Sequence, residues 1–325
     1  MVVKNVGHMN AGDDETSYAN NSALQKGVIL EAMPVLDDTL RDIFAAAESC
    51  CFPKCWKMVD LGCSSGPNSL FVISHILDTV EQLCSKNQTT HLNLRLFPSN
   101  TLHFAYSFYS LHWLSQIPEG LDRNNEENMY MARTSPPEVF EAYAKQYQRD
   151  FSTFLSLRGE EMIAGGRIIL TFIGRSVEDH SCKHHSAHYT LLSQSLLDML
   201  AEGLVKMDDL YSFNVPIYMP CEEEVKTMIQ IEGSFNLDKL HVFPVRWDAQ
   251  DNITNYESDL VFDKHRSGKL TANCVRAFME PMLAAHFRSS IIYELFERYE
   301  DKMGAHMSEQ KYSSYYSIVI SLSRK

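Results

Sequence analysis

Asp60, Gly62, Ser64 and Gly66 fall at every second position in the segment Met58-Val59-Asp60-Leu61-Gly62-Cys63-Ser64-Ser65-Gly66-Pro67-Asn68. Small residues at that spacing let backbone amides approach a ligand. A helix starting directly after them adds its positive N-terminal dipole. An acid at the end of the preceding strand suits a ribose hydroxyl or an amine. The dinucleotide fingerprint G-x-G-x-x-G, with an acid about 20 residues further on, is not met. A strand–loop–helix turn that binds nothing explains such a loop equally well.

Two other groups of residues could do chemistry. His184 and His188 are spaced i, i+4 within the stretch His180, His184, His185, His188. That spacing can serve a metal, but no HExxH arrangement occurs and the stretch reads as lying before a helix. Exposed or pocket histidines are the expectation. Of the eight cysteines only Cys50, Cys51 and Cys55 cluster, and no C-x-x-C pair exists, so no zinc site is expected. Free thiols in a reducing compartment are the simpler reading.

The elements that must position these residues follow from periodicity. Apolar residues at three- and four-residue steps from Gln25 to Ala47 predict a helix, bent at Pro34. Met58–Gly62 reads as a short strand, and Ser69–Leu83 as a helix. Leu92–Leu94 and Leu102–Tyr106 read as further strands. Ser135 and Glu138 match a capping box opening a helix from Pro136 to about Met162, ended by Gly165-Gly166. Arg167–Gly174 (RIILTFIG) is the clearest buried strand. Beyond it, His188–Ala201, Cys221–Ile231, Leu270–Ala285 and Ser290–Met303 read as helices. Phe235–Val245 and Tyr315–Leu322 read as strands, and the polar Trp247–Lys269 as a loop. Strands alternating with helices predict an α/β fold on a mostly parallel sheet with helices on both faces.

The bulk properties exclude several roles. The 325 residues carry 42 acidic and 29 basic side chains, net −13, with 45% apolar residues. The acidic balance, with no basic stripe, argues against nucleic acid as a partner. No apolar run approaches ~18 residues, so no membrane span is expected. The polar first residues lack a signal core, which makes the cytoplasm the expected location.

The chain resembles the plant SABATH methyltransferases. The resemblance rests on Glu15–Ser22 (ETSYANNS), Val59–Asn68 (VDLGCSSGPN) and Tyr109–Pro118 (YSLHWLSQIP). His8–Asn10, Tyr147–Leu155, Gly165–Leu170, Ser212–Pro216 with Tyr218, Glu232–Phe235 and Arg276–Pro281 add to it. It implies a class I, Rossmann-like fold with a helical cap over the active site. The α/β core would be 1–175 with 232–250 and 312–325, closed by an arm at 1–24. The cap would be 176–231 and 251–311.

The resemblance also implies S-adenosyl-L-methionine as methyl donor, S-adenosyl-L-homocysteine as product and a small carboxylic acid as acceptor. Tyr18, Ser22, Asp60, Gly62, Cys63 and Asn68 would surround the donor, with Ser22 and Asn68 at its methionine end. Gln25 and Trp113 would hold the acceptor carboxylate. Read without the family, Trp113 is a core aromatic and Gln25 a helix-surface residue. Tyr109, His112, His188, Tyr189, Tyr218, Val275, Phe278 and Tyr315 would line the acceptor pocket. Salicylate-type members usually carry Met, Trp and Met where this chain has His112, Tyr189 and Val275. His112 is shared with jasmonate, indole-acetate and some xanthine members. A jasmonate-like or aromatic acid is therefore the expectation. Xanthine N-methylation and non-catalytic binding of a small acid are the alternatives, and the family implies a homodimer.

One departure stands out. Family members carry an N-D-x-x-x-N-D-F-N segment and a P-G-S-F-Y segment before R-L-F-P. They supply the ribose-binding acid and a Ser-Phe pair beside the adenine. Here Leu92-Asn93-Leu94 runs straight into Arg95-Leu96-Phe97-Pro98. Roughly fifty residues are missing by that pattern, and a sheet without its middle strand would expose edges and break the donor site. The expectation is that a stretch belonging between Leu94 and Arg95 is left out of the sequence. A shorter gap is expected near Asn124–Asn128.

Overall fold

The computed structural model describes residues 9–48, 56–64, 67–85, 97–121, 125, 127–178, 183–246, 263–309 and 314–325. Five strands form one sheet: β1 (Met58–Asp60), β2 (Leu102–Phe108), β3 (Met162–Gly174), β4 (Phe235–Arg246) and β5 (Ser314–Arg324). The order is β1-β2-β3-β5-β4. β1–β2 and β2–β3 run parallel, whereas β3–β5 and β4–β5 run antiparallel. The sheet is therefore mixed rather than mostly parallel, because the last strand returns between β3 and β4. β3 lies inside the sheet, and its Ile168, Ile169, Leu170 and Phe172 are fully buried. That explains its continuous apolar sequence.

Among the described residues eight α-helices accompany the sheet: α1 (Ala23–Glu48), α2 (Pro67–Ser85), α3 (Pro137–Glu161), α4 (Lys183–Ala201), α5 (Met207–Tyr211), α6 (Glu222–Glu232), α7 (Lys264–Phe287) and α8 (Ile292–Glu309). α1 packs on α2 and on β3, β4 and β5, and a buried Thr39–Ser321 hydroxyl pair at 2.9 Å joins α1 to β5. α8 packs on both α7 and α4. The α7–α8 crossing is close enough that a Cβ on Gly268 would lie 2.7 Å from the Glu300 carbonyl oxygen. Only glycine fits there.

Several local expectations are corrected. Ser135 does not cap α3: the cap position is Pro136, and no side chain caps it. The Ser135 hydroxyl instead donates to Asn125 Oδ1 at 2.6 Å and accepts from the Ala132 amide. The first helix is present as expected, with Pro34 inside α1. Helix α7 begins at Lys264, so 264–269 are helical rather than loop, while 247–262 lie outside the described residues. His184, His185 and His188 lie within α4, not before it, and His180 is outside the described residues. The proposed strand at Leu92–Leu94 also lies outside them. Among the described residues the sheet has no gap. β1 pairs directly with β2, Asp60 opposite Tyr106, and β1 is the terminal strand among the described residues.

Candidate active site

Strands β1 and β2 are parallel, so their C-terminal ends open on the same side, where ligands of α/β sheets bind. Gly62 follows β1 with φ +95°. A Cβ there would meet the Ser110 Cβ at 2.4 Å, so the turn needs glycine for conformation and for space. Ser110 Oγ donates to the Leu61 carbonyl at 3.1 Å and lies 2.5 Å from Ser107 Oγ. These contacts tie the loop after β1 to the segment after β2. Tyr109, at the exit of β2, has φ +62°, a conformation that costs about 1–3 kcal/mol for a non-glycine residue. Its hydroxyl donates to Tyr315 at 3.3 Å and pairs with Ser317 on β5. The strained exit is thus pinned from beneath.

Around this turn lies a cavity of about 850 Å³. One wall carries Asp60, Gly62, Cys63, Ser64, Asn68 and Ser69. Burial pushes the Asp60 carboxyl up, and a hydrogen bond from Ser69 opposes it. Asn68, in the first turn of α2, donates from Nδ2 to Ser22 Oγ at 3.1 Å and to the Ser22 carbonyl at 3.2 Å. Ser22 directly precedes α1, so two positive helix ends converge on this corner. Ser22 itself stands behind Asn68 rather than on the wall.

A second wall carries Tyr18, Gln25, Tyr109, Trp113 and Phe278. The Trp113 ring stands edge-on to Phe278, centroids 6.2 Å apart. Gln25 is buried; it hydrogen-bonds the Cys274 thiol, and its Oε1 has no partner. Burial pushes that thiol up to about 12, with Gln25 working against the rise. Met9, Ala11 and Tyr18 of the N-terminal arm also line the cavity. Asn10 clasps the arm to α7, its amide N–H donating to the Ala277 carbonyl and its Nδ2 to Glu280 Oε2, both at 2.9 Å.

The other expected pocket residues lie deeper. His112 and Tyr189 border a small void of about 20 Å³ behind Gln25 and Trp113. Burial drives His112 down to about 3, so the ring is neutral. Tyr218, Val275, His188 and Tyr315 are buried and line neither space. The Tyr218 hydroxyl is bound to Glu224, and His188 Nδ1 lies 3.2 Å from the Tyr299 hydroxyl. No group of three metal-ligating side chains occurs among the described residues.

The far wall holds residues that sequence reasoning missed: Ile117, Leu121, Ser212, Phe213, Asn214, Met282 and His286. Asn214 is buried, with Oδ1 accepting from Asn125 Nδ2 at 3.0 Å, which leaves its N–H2 group available to the cavity. His286 Nε2 meets the Asp209 carbonyl oxygen at 2.7 Å. The sequence signals for this wall are the stretches Tyr109–Pro118, which holds Ile117, and Ser212–Pro216, and nothing in their composition points to a ligand at these positions.

A family model described as SAM dependent carboxyl methyltransferase matches residues 4–95 and 93–325. The two blocks meet where the missing segments were noted. A probable methyltransferase of Theobroma cacao is 38% identical over 384 positions, covering 100% of both chains. S-adenosyl-L-methionine:benzoic acid/salicylic acid carboxyl methyltransferase 3 of Petunia hybrida is 35% identical over 372 positions, covering 100% of this chain and 99% of its own. A solved loganic acid methyltransferase with SAH superposes with TM-score 0.83 at 26% identity, covering 98% of each chain. The 325 residues run without interruption through Leu94-Arg95 and are spread over alignments of 372 and 384 positions. The shortfall is a property of this chain, not a stretch left out of the sequence. Among the described residues, no helix is long and apolar enough to cross a membrane.

Proposed function

The chain belongs to the S-adenosyl-L-methionine-dependent carboxyl methyltransferase family, and we propose that it esterifies a small carboxylic acid with an apolar body, without a general base. The observation that carries this reading is one cavity with Asp60, Cys63 and Asn68 on one wall and Gln25 and Trp113 on another. At about 850 Å³ it lies in the upper range of small-molecule sites, with room for a nucleoside-sized donor and an acid side by side. The residues present fit the methionine end of the donor, whereas the segments that the resemblance assigns to its ribose and adenine are absent from this chain. The Gly62 turn brings backbone close, Asp60 is a buried acid at the strand end, and the Ser22–Asn68 pair sits where two helix ends would attract a carboxylate.

When bound, the donor supplies an electrophilic sulfonium methyl group. The chain contributes placement and exclusion of water. An acceptor carboxyl with an ordinary pKa near ~4 is already ionised at neutral pH, so no proton has to be moved. The Trp113 indole N–H and the Gln25 amide are neutral donors that fix the carboxylate oxygens while leaving them nucleophilic. Turned over about its last torsion, the Gln25 amide would accept from the Cys274 thiol on its oxygen and present N–H2 to the acid. Tyr18 and Met9 cover the reacting centre, and Phe278, Met282 and Ile117 line the space for the acceptor's body. Positioning of this kind contributes about 7–11 kcal/mol to such reactions. The buried neutral His112 is unsuited to act as a base near neutral pH.

The far wall, apolar at Ile117, Leu121, Phe213 and Met282 and polar at Ser212, Asn214 and His286, supports an acid longer than a single substituted ring, jasmonate-like or an extended aromatic acid. The test is turnover with labelled donor across jasmonate, salicylate, benzoate, anthranilate, indole-3-acetate and xanthines. Formation of methyl esters is expected. Methylation of xanthines alone would overturn the carboxyl reading, and binding of acids without turnover would favour a non-catalytic role.

A further inference from the structure

Trp113 has its place set by backbone. Its own amide donates to the Ser110 carbonyl at 3.1 Å. On either side, the Leu114 amide donates to the Pro216 carbonyl and the Tyr218 amide to the His112 carbonyl, both at 2.8 Å. Trp113 and Ile217 form an isolated antiparallel bridge. The position of the indole is therefore fixed by segment 216–218, which belongs to no sheet and needs an anchor of its own.

That anchor is a polar cluster, buried at Arg175 and Tyr218 and half-buried at Glu224. The Tyr218 hydroxyl donates to Glu224 Oε1 at 2.7 Å. Arg175, at the end of β3 and 3% exposed, pairs with the same oxygen at 2.8 Å. Its guanidinium also donates to the Met219 carbonyl and lies 5.6 Å from the centre of the Tyr218 ring. The Arg175 amide donates to the Pro220 carbonyl at 3.0 Å. Glu224 Oε2 accepts from the Cys221 amide at 2.8 Å, so the carboxylate also starts α6. Burial opposes ionisation of Glu224, but Arg175 and Tyr218 hold its carboxyl below the usual range.

We infer that Tyr218, Glu224 and Arg175 are positioning residues for the acceptor: they lock segment 216–218 to the end of β3 and through it hold the Trp113 indole at the carboxylate. This rests on the assignment of Trp113 to the acceptor. It gives Tyr218 a different part from the pocket-wall role that resemblance implied. The Arg175–Glu224 pair sits at the junction between the central strand and the acceptor segment.

The test is a cycle of Tyr218→Phe and Trp113→Phe, single and combined, on the acid with the highest turnover in the panel above. Glu224→Gln replaces Tyr218→Phe if that variant fails to fold. Tyr218→Phe is expected to lower kcat/KM for the acid about tenfold, with binding of S-adenosyl-L-homocysteine by calorimetry changed less than about twofold. In the Trp113→Phe background the same change is expected to add little. Independent, additive losses would overturn the inference, as would equal loss of donor binding or no effect of Tyr218→Phe. If Trp113→Phe alone leaves acid turnover intact, the acceptor assignment falls and this inference with it.

Discussion

A Cβ placed on Gly62 would lie 2.4 Å from the Cβ of Ser110. The loop on the donor side and the segment leading to Trp113 therefore touch through one serine, with no space between them. Gly62→Ala combines that clash with a left-handed backbone. It is expected to destabilise the protein by about 1–3 kcal/mol and to weaken donor binding. Adding Ser110→Gly should recover part of the loss but not all of it, because φ stays positive. Thermal melts and calorimetry with S-adenosyl-L-homocysteine check this, and full recovery would show that conformation at Gly62 costs nothing.

Gln25→Glu keeps the size of the side chain but sets a carboxylate against an incoming carboxylate. Acid turnover is expected to fall at least ~100-fold, the equivalent of about 2.7 kcal/mol, with donor affinity little changed. Steady-state kinetics with saturating donor measure the first effect and calorimetry the second. Equal loss of both would remove Gln25 from the acceptor side.

Burial holds His112 and His188 at about 3, against an ordinary 6.5. Between those values the unfolded chain binds more protons than the folded one. The stability present above pH ~6.5 is therefore lost as the pH falls toward 3. Melting temperature should drop from pH 7 to pH 5, and His112→Gln should flatten that slope. Turnover should be level between pH 6 and pH 8 (about two units above an ordinary carboxyl pKa), and a rate that climbs through that window would reveal a general base.

Asn10→Ala removes the 2.9 Å hydrogen bond to Glu280 that clasps the arm to α7. A loss of about 1 kcal/mol of closure corresponds to roughly fivefold weaker binding of both substrates. Faster proteolysis within residues 9–22 should accompany it. A change in KM for the acid alone would contradict a shared lid.

Asn214→Ala takes away the free N–H2 group on the far wall. For acids with a second oxygen function remote from the carboxylate, KM should rise by roughly threefold to tenfold, while benzoate, too short to reach, should be spared. Identical effects on both classes would argue that Asn214 only supports Asn125.

The loop from Asp60 to Asn68 and strand β3 are legible in the sequence, because small residues in a turn and an unbroken apolar run each have a local cause. The mixed sheet is not legible: nothing in Ser314–Arg324 says that it inserts between β3 and β4. The Ser135–Glu138 spacing misleads for a specific reason. Pro136 and Pro137 start the helix unaided, and Asn125, ten residues earlier, takes the serine hydroxyl. The far wall joins Met282 and His286, four residues apart on α7 and in register with Phe278, to Leu121 and Asn214, which no spacing connects to them. The part of Tyr218 depends on Arg175, 43 residues away in the chain.

The acid at the head of the site stands on a three-residue strand with a sheet neighbour on one flank only among the described residues. Such a margin frays before the middle of the sheet does, so amide protons of Met58–Leu61 should exchange faster than those of Ile168–Phe172. Nucleoside docking would then stiffen an edge that the polypeptide itself supports on one side, and heat resistance should depend on donor concentration.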